Sequence, residues 1–293
     1  MPESPRDIRR RIQSTKNIAQ ITRALQQVAT ARLRRSQSRA SEARPYAERI
    51  REVLAGLAGG GGSSEVTHPL LEQREVRNVG IIEVTPDRGL CGGLITNINR
   101  TVSRLVVEEA HPVRGYALGR RGRDFLHRSG VELAGEEINL GDYPELERIL
   151  GVARIVIDEY TAGTVDRVQL AYTRYVSTIR QEPTIVQLIP VQPPEQEGDD
   201  AAAAATREVQ YDYEPEPAVV LNTLLPRYIE TQIYRAVLES KASEQAARLV
   251  AMRNATDNAN ELAGDLTLSL NKARQAAITT EISEIAAAAE ALR

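Results

Sequence analysis

Two glycine-containing turns are the segments of this chain whose residues could bind a phosphate. The first is Asp87–Gly93 (DRGLCGG), here named the Asp87 turn, and the second is Gly119–Gly122 (GRRG). The Asp87 turn lacks the Lys-Ser/Thr pair of a P-loop and the spacing G-x-G-x-x-G of a dinucleotide site. The second turn could offer backbone N–H groups to an anion at a helix N-terminus. We expect ordinary strand-to-helix turns at both places, with nucleotide and anion binding as the alternatives.

Side chains that could hold a metal or act as a nucleophile are few and scattered. The single cysteine, Cys91, excludes an internal disulfide and fits a reducing compartment. We interpret it as an ordinary small residue, because the sequence gives no sign of the lowered pKa that a reactive thiol needs. The histidines, which lack the spacing of metal ligands, are His68, His111 and His127. The sequence therefore predicts no catalytic residue, no metal and no cofactor.

Both turns fall within residues 76–190, which predict a small α/β domain. Strand-like runs such as Val79–Val84 and Val168–Val176 alternate with helical stretches. The helical stretches lie around residues 94–110, 120–129 and 144–160. This alternation is typical of a Rossmann-like domain with a mainly parallel sheet. A nucleotide-dependent enzyme is an alternative for this domain, and it predicts that residues 76–190 alone bind a ligand.

The last part of the chain, from about Val219 to Arg293, predicts one long helix with a coiled-coil seam. Its small and apolar residues alternate gaps of three and four, and only Thr256 among them is polar. A period of 3.5 residues predicts left-handed supercoiling around a partner helix. The series consists of Leu249, Met252, Thr256, Ala259, Ala263, Leu266, Leu270, Ala273 and Ala277.

The first 58 residues predict a second long helix, which a run of four glycines from Gly59 ends. Apolar residues recur along it at helical spacing, and we expect them to form its seam. These residues are Ile18, Ile21, Leu25 and Val28. Neither terminal helix belongs to the middle domain by its sequence, so we predict that the two pair as an antiparallel coiled coil. The C-terminal helix is longer, and its far end should project or find another partner.

Charge is unevenly distributed along a chain whose net charge is only -3. Residues 1–51 contain thirteen Arg or Lys and four acidic residues, whereas Pro193–Pro217 contains eight acidic residues and one Arg. The second composition predicts an acidic flexible linker over residues 191–218. The basic first helix leaves a nucleic-acid-binding coiled coil as an alternative. An apolar seam interrupts the basic residues, however, and stacking aromatics are scarce, with no Trp and one Phe.

Together these patterns predict a fold of class α+α/β, in which a long antiparallel coiled coil of the terminal helices accompanies a Rossmann-like α/β domain. The predicted segments are 1–58 (first coiled-coil helix), 76–190 (α/β domain), 191–218 (linker) and 219–293 (second coiled-coil helix). No run of 18 apolar residues is present, so the sequence predicts no transmembrane helix.

Five segments, in the same order along nearly the whole chain, resemble the gamma subunit of F-type ATP synthases. They are Ile12–Leu33, the Asp87 turn, Tyr213–Pro217, Ala242–Asn258 and Asn271–Ile285. The resemblance implies a central-stalk rotor subunit whose coiled coil passes up the middle of a hexamer of alpha and beta subunits. It implies that a proton-driven membrane ring (the c-ring) rotates this chain, and that ATP is made in the hexamer and not by this chain.

The resemblance also implies partner contacts at nine positions. Polar residues expected to touch loops of the catalytic subunits are Arg248, Arg274, Gln275, Thr279 and Glu281. Arg88 and Cys91 are expected to meet the acidic lower lobes of beta, and Tyr211 and Glu214 the c-ring and the epsilon subunit. A solvated helix face is the alternative for Arg274, Gln275 and Glu281. No signal or transit peptide is recognisable, and the expected location is peripheral, on the cytoplasmic face of a bacterial cell membrane.

Overall fold

The computed structural model describes residues 4–59, 68–192 and 217–291. The α-helices in these ranges are α1 (Pro5–Gly59), α2 (Leu94–Glu108), α3 (Arg120–Arg128), α4 (Glu147–Thr161) and α5 (Pro217–Ala291). The strands are β1 (Val79–Val84), β2 (Val113–Leu118), β3 (Glu132–Glu137), β4 (Arg167–Tyr175) and β5 (Gln181–Ile189), and a short 3-10 helix spans Pro69–Leu71. The chain divides into two compact units, one of Met1–Thr30 with Arg248–Arg293 and the other of Ala31–Ala247.

The strands of the second unit form one sheet in the order β3-β2-β1-β4-β5. The pairs β1–β2, β1–β4 and β2–β3 are parallel, and β4 and β5 form an antiparallel hairpin at the edge. All six residues of the central strand β1 are buried, as expected for a parallel strand that is covered on both faces. The prediction of a mainly parallel sheet is confirmed, and the predicted helices and strands agree with the structure within a few residues.

Two hydrophobic clusters cover the two faces of the sheet. On one face, Val79 and Ile81 pack with residues of α2 and α3 such as Ile98 and Leu126. On the other face, Ile82 and Val84 belong to a larger cluster. Its helical members include Ile50, Ile149, Val152, Val156, Leu221, Leu225, Ile229 and Ile233. Because successive side chains of a strand point to opposite faces, Glu83 of β1 lies on the α2/α3 face.

In the first unit, the two chain ends pair as an antiparallel coiled coil. Ile8 and Ile12 form a cluster with Leu266, and further along the pair the hydroxyl oxygens of Thr22 and Thr256 are 2.7 Å apart. From Ile8 to Thr22 along α1, the contacting residues of α5 run in the opposite direction, from Leu266 to Thr256. The predicted α5 seam is buried from Met252 to Leu266, and it becomes exposed by Ala277. The predicted antiparallel pairing is confirmed.

The seam predicted for α1 was wrong. Ile18, Ile21 and Val28 are 50%, 59% and 45% exposed, and Leu25 is half-buried. The buried residues of α1 in this unit are Ile8, Ile12, Thr15, Ala19, Thr22 and Ala29. In the middle of the pair the buried positions hold small residues on both helices, namely Thr15, Ala19 and Thr22 of α1 and Thr256, Ala259 and Ala263 of α5, whereas Ile8, Ile12 and Leu266 form an aliphatic cluster nearer its end. Residue size misled the prediction, whereas the 3.5-residue spacing of the smaller series would have found the seam.

The end of α5 has no helical partner within the described part of the first unit. Every residue from Arg274 to residue 289, here named the tail, is exposed. The exposed residues include Ile278, Ile282 and Ile285, at 48%, 61% and 64%. The expectation that the longer helix would project beyond its partner is confirmed for this unit. The predicted linker lies mostly outside the described residues, since 193–216 are not among them.

Candidate functional site

The Asp87 turn connects β1 to α2 and is held by the carboxylate of its first residue. The Oδ1 of Asp87 accepts hydrogen bonds from the backbone N–H groups of Arg120 (3.0 Å) and Asn139 (2.8 Å). Its Oδ2 accepts a third from the backbone N–H of Leu140, at 3.1 Å. Hydrogen bonds to an ionised acceptor are stronger than neutral ones. Asp87 therefore fastens three segments of the domain together at the carboxyl ends of β1, β2 and β3.

The first N–H groups of α3 are already occupied, which argues against an anion at Gly119–Gly122. Arg120 N donates to Asp87, Arg121 N to the carbonyl of Pro86 at 3.2 Å, and Gly122 N to Thr85 Oγ1 at 2.6 Å. A helix N-terminus binds an anion through free N–H groups. The alternative of an anion site here is therefore wrong, and the turn is an internally capped helix start.

The surface of the Asp87 turn combines an exposed cation with an exposed apolar side chain. Arg88 is exposed, and Leu90 is 67% exposed with a φ of +64°. A leucine in the left-handed region is strained, and such strain collects at functional sites. The exposed Arg121 approaches the same turn, because a Cβ built on Gly89 would lie 3.7 Å from its guanidinium nitrogen. Cys91, in contrast, is buried, with 1% of its surface exposed.

Sequence reasoning singled out Arg88 and missed Leu90 and Arg121. An apolar residue within a glycine-rich turn was the available signal for Leu90, since such turns are normally polar. Arg121 lies beyond the end of the next strand, so only the parallel arrangement of β1 and β2 brings it near the turn. These three residues form one exposed surface on the second unit.

A buried carboxylic acid lies directly behind this turn. Glu83 of β1 has no exposed surface, and its burial raises its pKa to about 8. The amide nitrogen of Asn99 on α2 donates to its Oε1 at 3.2 Å, in the amide orientation that also satisfies Ile95 O. Its Oε2 has no hydrogen-bond partner among the described residues. A neutral acid is the form that this site favours at neutral pH.

The polar positions predicted on α5 are spread along that helix. Arg248 is half-buried and has an interaction within the chain. Arg274, Gln275, Thr279 and Glu281 are exposed and lie in the tail. At about 1.5 Å per residue, Arg248 and Arg274 are separated by about 39 Å along the helix. The structure therefore brings the four tail residues together and leaves Arg248 apart from them.

Two of the predicted contact residues, Tyr211 and Glu214, lie outside the described residues. Among the residues that are described, no group of three or more His, Cys, Asp or Glu side chains could hold a metal ion. No helix in the described ranges is long and apolar enough to cross a membrane.

Within the second unit, one loop joins the α/β domain to both long helices. Arg32 of α1 pairs with Asp142 at 2.9 Å, and the guanidinium of Arg39 stacks over the ring of Tyr143 with 4.9 Å to its centroid. The hydroxyl of Tyr234 on α5 donates to the carbonyl of Pro144 at 3.3 Å. Exposed ion pairs contribute at most about 1 kcal/mol, so the large apolar cluster behind the loop is the main attachment.

Comparisons with known proteins agree with this architecture. A family profile described as ATP synthase matches residues 4–292. The ATP synthase gamma chain of Dehalococcoides mccartyi (strain CBDB1) is 48% identical over 287 residues, which cover 98% of each chain. That of Chloroflexus aurantiacus (strain ATCC 29366 / DSM 635 / J-10-fl) is 50% identical over 296 residues, which cover 100% of this chain and 99% of the relative.

Solved structures share the fold. A chain of the Euglena gracilis mitochondrial ATP synthase, in an OSCP/F1/c-ring assembly, has a TM-score of 0.69 at 20% identity, with 98% of this chain and 94% of that chain covered. A chain of the rotor of the same enzyme has a TM-score of 0.65 at 20% identity, with 94% and 98% covered. At such identities the likeness establishes the fold, whereas the full-length bacterial relatives establish the family. The chain belongs to the ATP synthase gamma chain family.

Proposed function

We propose that this chain is the central-stalk rotor subunit of a proton-translocating ATP synthase. In this role it couples rotation of the membrane c-ring to ATP synthesis in a hexamer of alpha and beta subunits. The chain supplies no catalytic group, and it acts as a rigid element whose orientation biases several distant sites differently. The nucleic-acid-binding alternative is not favoured by the family to which the chain belongs.

The bare tail of α5 is the observation that carries this proposal. An isolated helix of this length is marginal in water, because helices in proteins owe most of their stability to packing. The tail is nevertheless exposed on every side, with three isoleucines among its exposed residues. Such a segment needs a surrounding partner, and a sleeve formed by the hexamer would supply contacts on all faces.

The finer contacts follow the family resemblance. We propose that Arg248, Arg274, Gln275, Thr279 and Glu281 contact loops of the catalytic subunits. We propose that the Asp87 turn, with Arg88 and Cys91, meets acidic lobes of beta. Because Cys91 is buried, we propose Arg88 as the residue that makes the surface contact there. Tyr211 and Glu214 would contact the c-ring and the epsilon subunit.

We further propose that the chain is organised functionally as coiled-coil helices 1–58 and 219–293, an α/β foot domain 76–190 and an acidic linker 191–218. The subunit would act as a peripheral protein at the cytoplasmic face of a bacterial cell membrane. The bacterial relatives and their full-length similarity support this location.

Replacement of Arg274 tests the contacts of the tail. We expect Arg274→Leu to lower proton-driven ATP synthesis of the reconstituted complex by about fivefold or more, because losing a charge-assisted contact costs about 1–3 kcal/mol. The helicity of the purified chain should not change, since Arg274 is exposed. Arg253→Leu, an exposed arginine in the paired part of the same helix, is the matched control. Equal coupling in the two variants would contradict the proposed contact, and failure of the native chain to co-purify with a nucleotide-binding hexamer would contradict the function.

A further inference from the structure

Glu83 is a buried carboxylic acid in the centre of the sheet that the proposed function does not use. By strand register it lies beside Ala117 of β2 and Ala171 of β4, which offer neither charge nor hydrogen bond from their side chains. From α2, the facing polar group is the amide of Asn99. From α3, it is the backbone of Gly122, where an added Cβ would lie 3.0 Å from Glu83 Oε2.

No charged side chain of the two covering helices compensates Glu83. Arg100 and Arg104 of α2 are exposed, as are Arg120 and Arg121 of α3. Arg123 and Asp124 of α3 pair with each other at 2.7 Å. Burial is accordingly the cause of the raised pKa of Glu83, with no opposing charge. An ionised Glu83 would be an unpaired buried charge, which is strongly unfavourable.

The first turn of α3 rests directly on Glu83 and its neighbour Thr85. Gly122 N donates to Thr85 Oγ1 at 2.6 Å, and both Glu83 and Thr85 are buried. The same helix start is tied to the Asp87 turn, because Asp87 accepts from Arg120 N at 3.0 Å. A displacement of α3 away from the sheet would therefore break contacts that hold the Asp87 turn in place.

We propose that Glu83 is a proton-linked positioning residue, whose neutral acid lets α3 lie on the sheet and whose ionisation releases α3 together with the Asp87 turn. The step is a simple ionisation, in which the carboxyl O–H bond breaks and the proton passes to solvent. The charged carboxylate can be solvated only if water reaches it. Water can reach it only if the start of α3, which covers Glu83, moves away from the sheet. With a pKa of about 8, Glu83 would ionise between pH 7 and pH 9. The inference rests on the proposed function only in treating the turn as a docking surface.

Hydrogen exchange of the full-length chain at pH 7 and pH 9 tests the release. Labelling times are scaled to the intrinsic exchange rate at each pH, and peptides covering α3 and the Asp87 turn are compared. We expect their protection to fall about tenfold between the two pH values, because ionisation of Glu83 favours the open form. In Glu83→Gln, which cannot ionise and has nearly the same size, protection should change less than twofold. Glu132→Gln, at an exposed position of β3, should behave like the native chain.

Equal protection at both pH values in the native chain would overturn the proposal, as would an equal loss in Glu83→Gln. A second measurement keeps the test decisive if Glu83→Gln folds poorly. Carbon-13 NMR of the glutamate side-chain carboxyls of the native chain should show one resonance that titrates near pH 8, and the absence of any carboxyl titrating above pH 6 would refute it. Both measurements use the isolated chain without partner subunits. They therefore test the role of Glu83 independently of whether the Asp87 turn contacts a partner in the assembled complex.

Discussion

One pair of hydroxyl groups meets across the seam of the coiled coil, whose other buried hydroxyl residue in the described part of this unit is Thr15. Thr22 and Thr256 are both buried, and their hydroxyl oxygens are 2.7 Å apart. Each hydroxyl also has an acceptor on its own helix, since Thr256 donates to Met252 O at 2.8 Å and Thr22 lies 3.0 Å from Ile18 O. A buried polar group that keeps a partner costs little, whereas one left unpaired costs about 1–3 kcal/mol. The pair therefore fixes register at a small cost in stability.

We predict that Thr256→Val changes the stability of the coiled coil by less than about 1 kcal/mol, because Thr22 can still donate to its own helix. The coupling energy between Thr22→Val and Thr256→Val should be about 0.5–1 kcal/mol. Local opening energies from hydrogen exchange of the 252–266 peptide would measure both quantities. A coupling energy above about 2 kcal/mol would show that the own-helix carbonyls do not substitute for the cross-helix bond.

The raised pKa of Glu83 predicts how the stability of the α/β domain depends on pH. The unfolded chain ionises this group near its ordinary pKa of 4.5, and the folded chain does so at about 8. The stability that Glu83 contributes is therefore fully present below pH 4.5, and it is lost as the pH rises through about 8. The full loss amounts to about 5 kcal/mol at most, at about 1.36 kcal/mol per pKa unit.

We therefore expect Glu83→Gln to become more stable than the native chain as pH rises from 5 to 9. Urea midpoints followed by tyrosine circular dichroism would measure this, because all ten tyrosines lie between residues 46 and 234. Glu132→Gln, the same substitution at an exposed position of β3, is the control. Parallel pH profiles of Glu83→Gln and the native chain would contradict the prediction.

Asp87 shows which part of the candidate site the sequence did not reveal. The DRGLCGG segment was predicted to be a strand-to-helix turn, and the structure agrees, although Cys91, one of its two expected contact residues, is buried. The three backbone N–H groups that Asp87 accepts come from residues 33 to 53 positions away. Every residue except proline has a backbone N–H group, so the residue types along the sequence do not show which of these groups bind Asp87.

At the scale of single elements, two glycines in helices predict opposite responses to the same substitution. Gly264 of α5 is exposed and an added Cβ would meet nothing within 4 Å. Gly122 of α3 is buried, and an added Cβ would lie 2.9 Å from Thr85 Oγ1 and 3.0 Å from Glu83 Oε2. Both neighbours are buried between α3 and the sheet, so the added Cβ would overpack this contact.

We predict that Gly264→Ala stabilises α5 by about 0.5–1 kcal/mol, the ordinary gain of replacing glycine in a helix. Gly122→Ala should instead destabilise the α/β domain by about 1–3 kcal/mol, since overpacking outweighs the helix propensity of alanine. Thermal unfolding of the two variants beside the native chain would show shifts of opposite sign. A stabilised Gly122→Ala would mean that α3 can lift from the sheet without cost.

The long helices also show where periodicity is a sufficient guide and where it is not. The α5 seam was predicted correctly from Met252 to Leu266, where its 3.5-residue series runs unbroken, whereas the last predicted member, Ala277, is exposed. In α1 two series compete, and the larger residues of one, such as Ile18 and Ile21, obscured the smaller residues of the other, such as Ala19 and Thr22. The residues of α1 that are buried against α5 belong to the second series, so the choice between the two depends on the partner helix. A prediction made for one helix alone lacks that information.

At the scale of the whole molecule, burial distinguishes segments that are packed within this chain from one segment that would be covered only in an assembly. The sheet of the second unit is covered on both faces, and the coiled coil of the first unit is buried along its seam. The tail from Arg274 to residue 289 has neither cover nor partner among the described residues. Backbone hydrogen bonds of a solvated single helix open readily, with free energies near zero, whereas those of packed segments open rarely.

We therefore predict that amides of the tail exchange with solvent within seconds in the isolated chain and become protected when the chain is incorporated into the ATP synthase complex. The expected gain is at least about 100-fold, because packing against surrounding subunits should add about 3 kcal/mol or more to local opening. Hydrogen exchange of the two samples would measure it, with α4 as the internal control because its buried face is covered in the isolated chain. A tail that is already protected in isolation would show that the helix needs no sleeve. A tail that stays unprotected in the complex would remove the segment from the interface, and with it the observation on which the proposed rotor function rests.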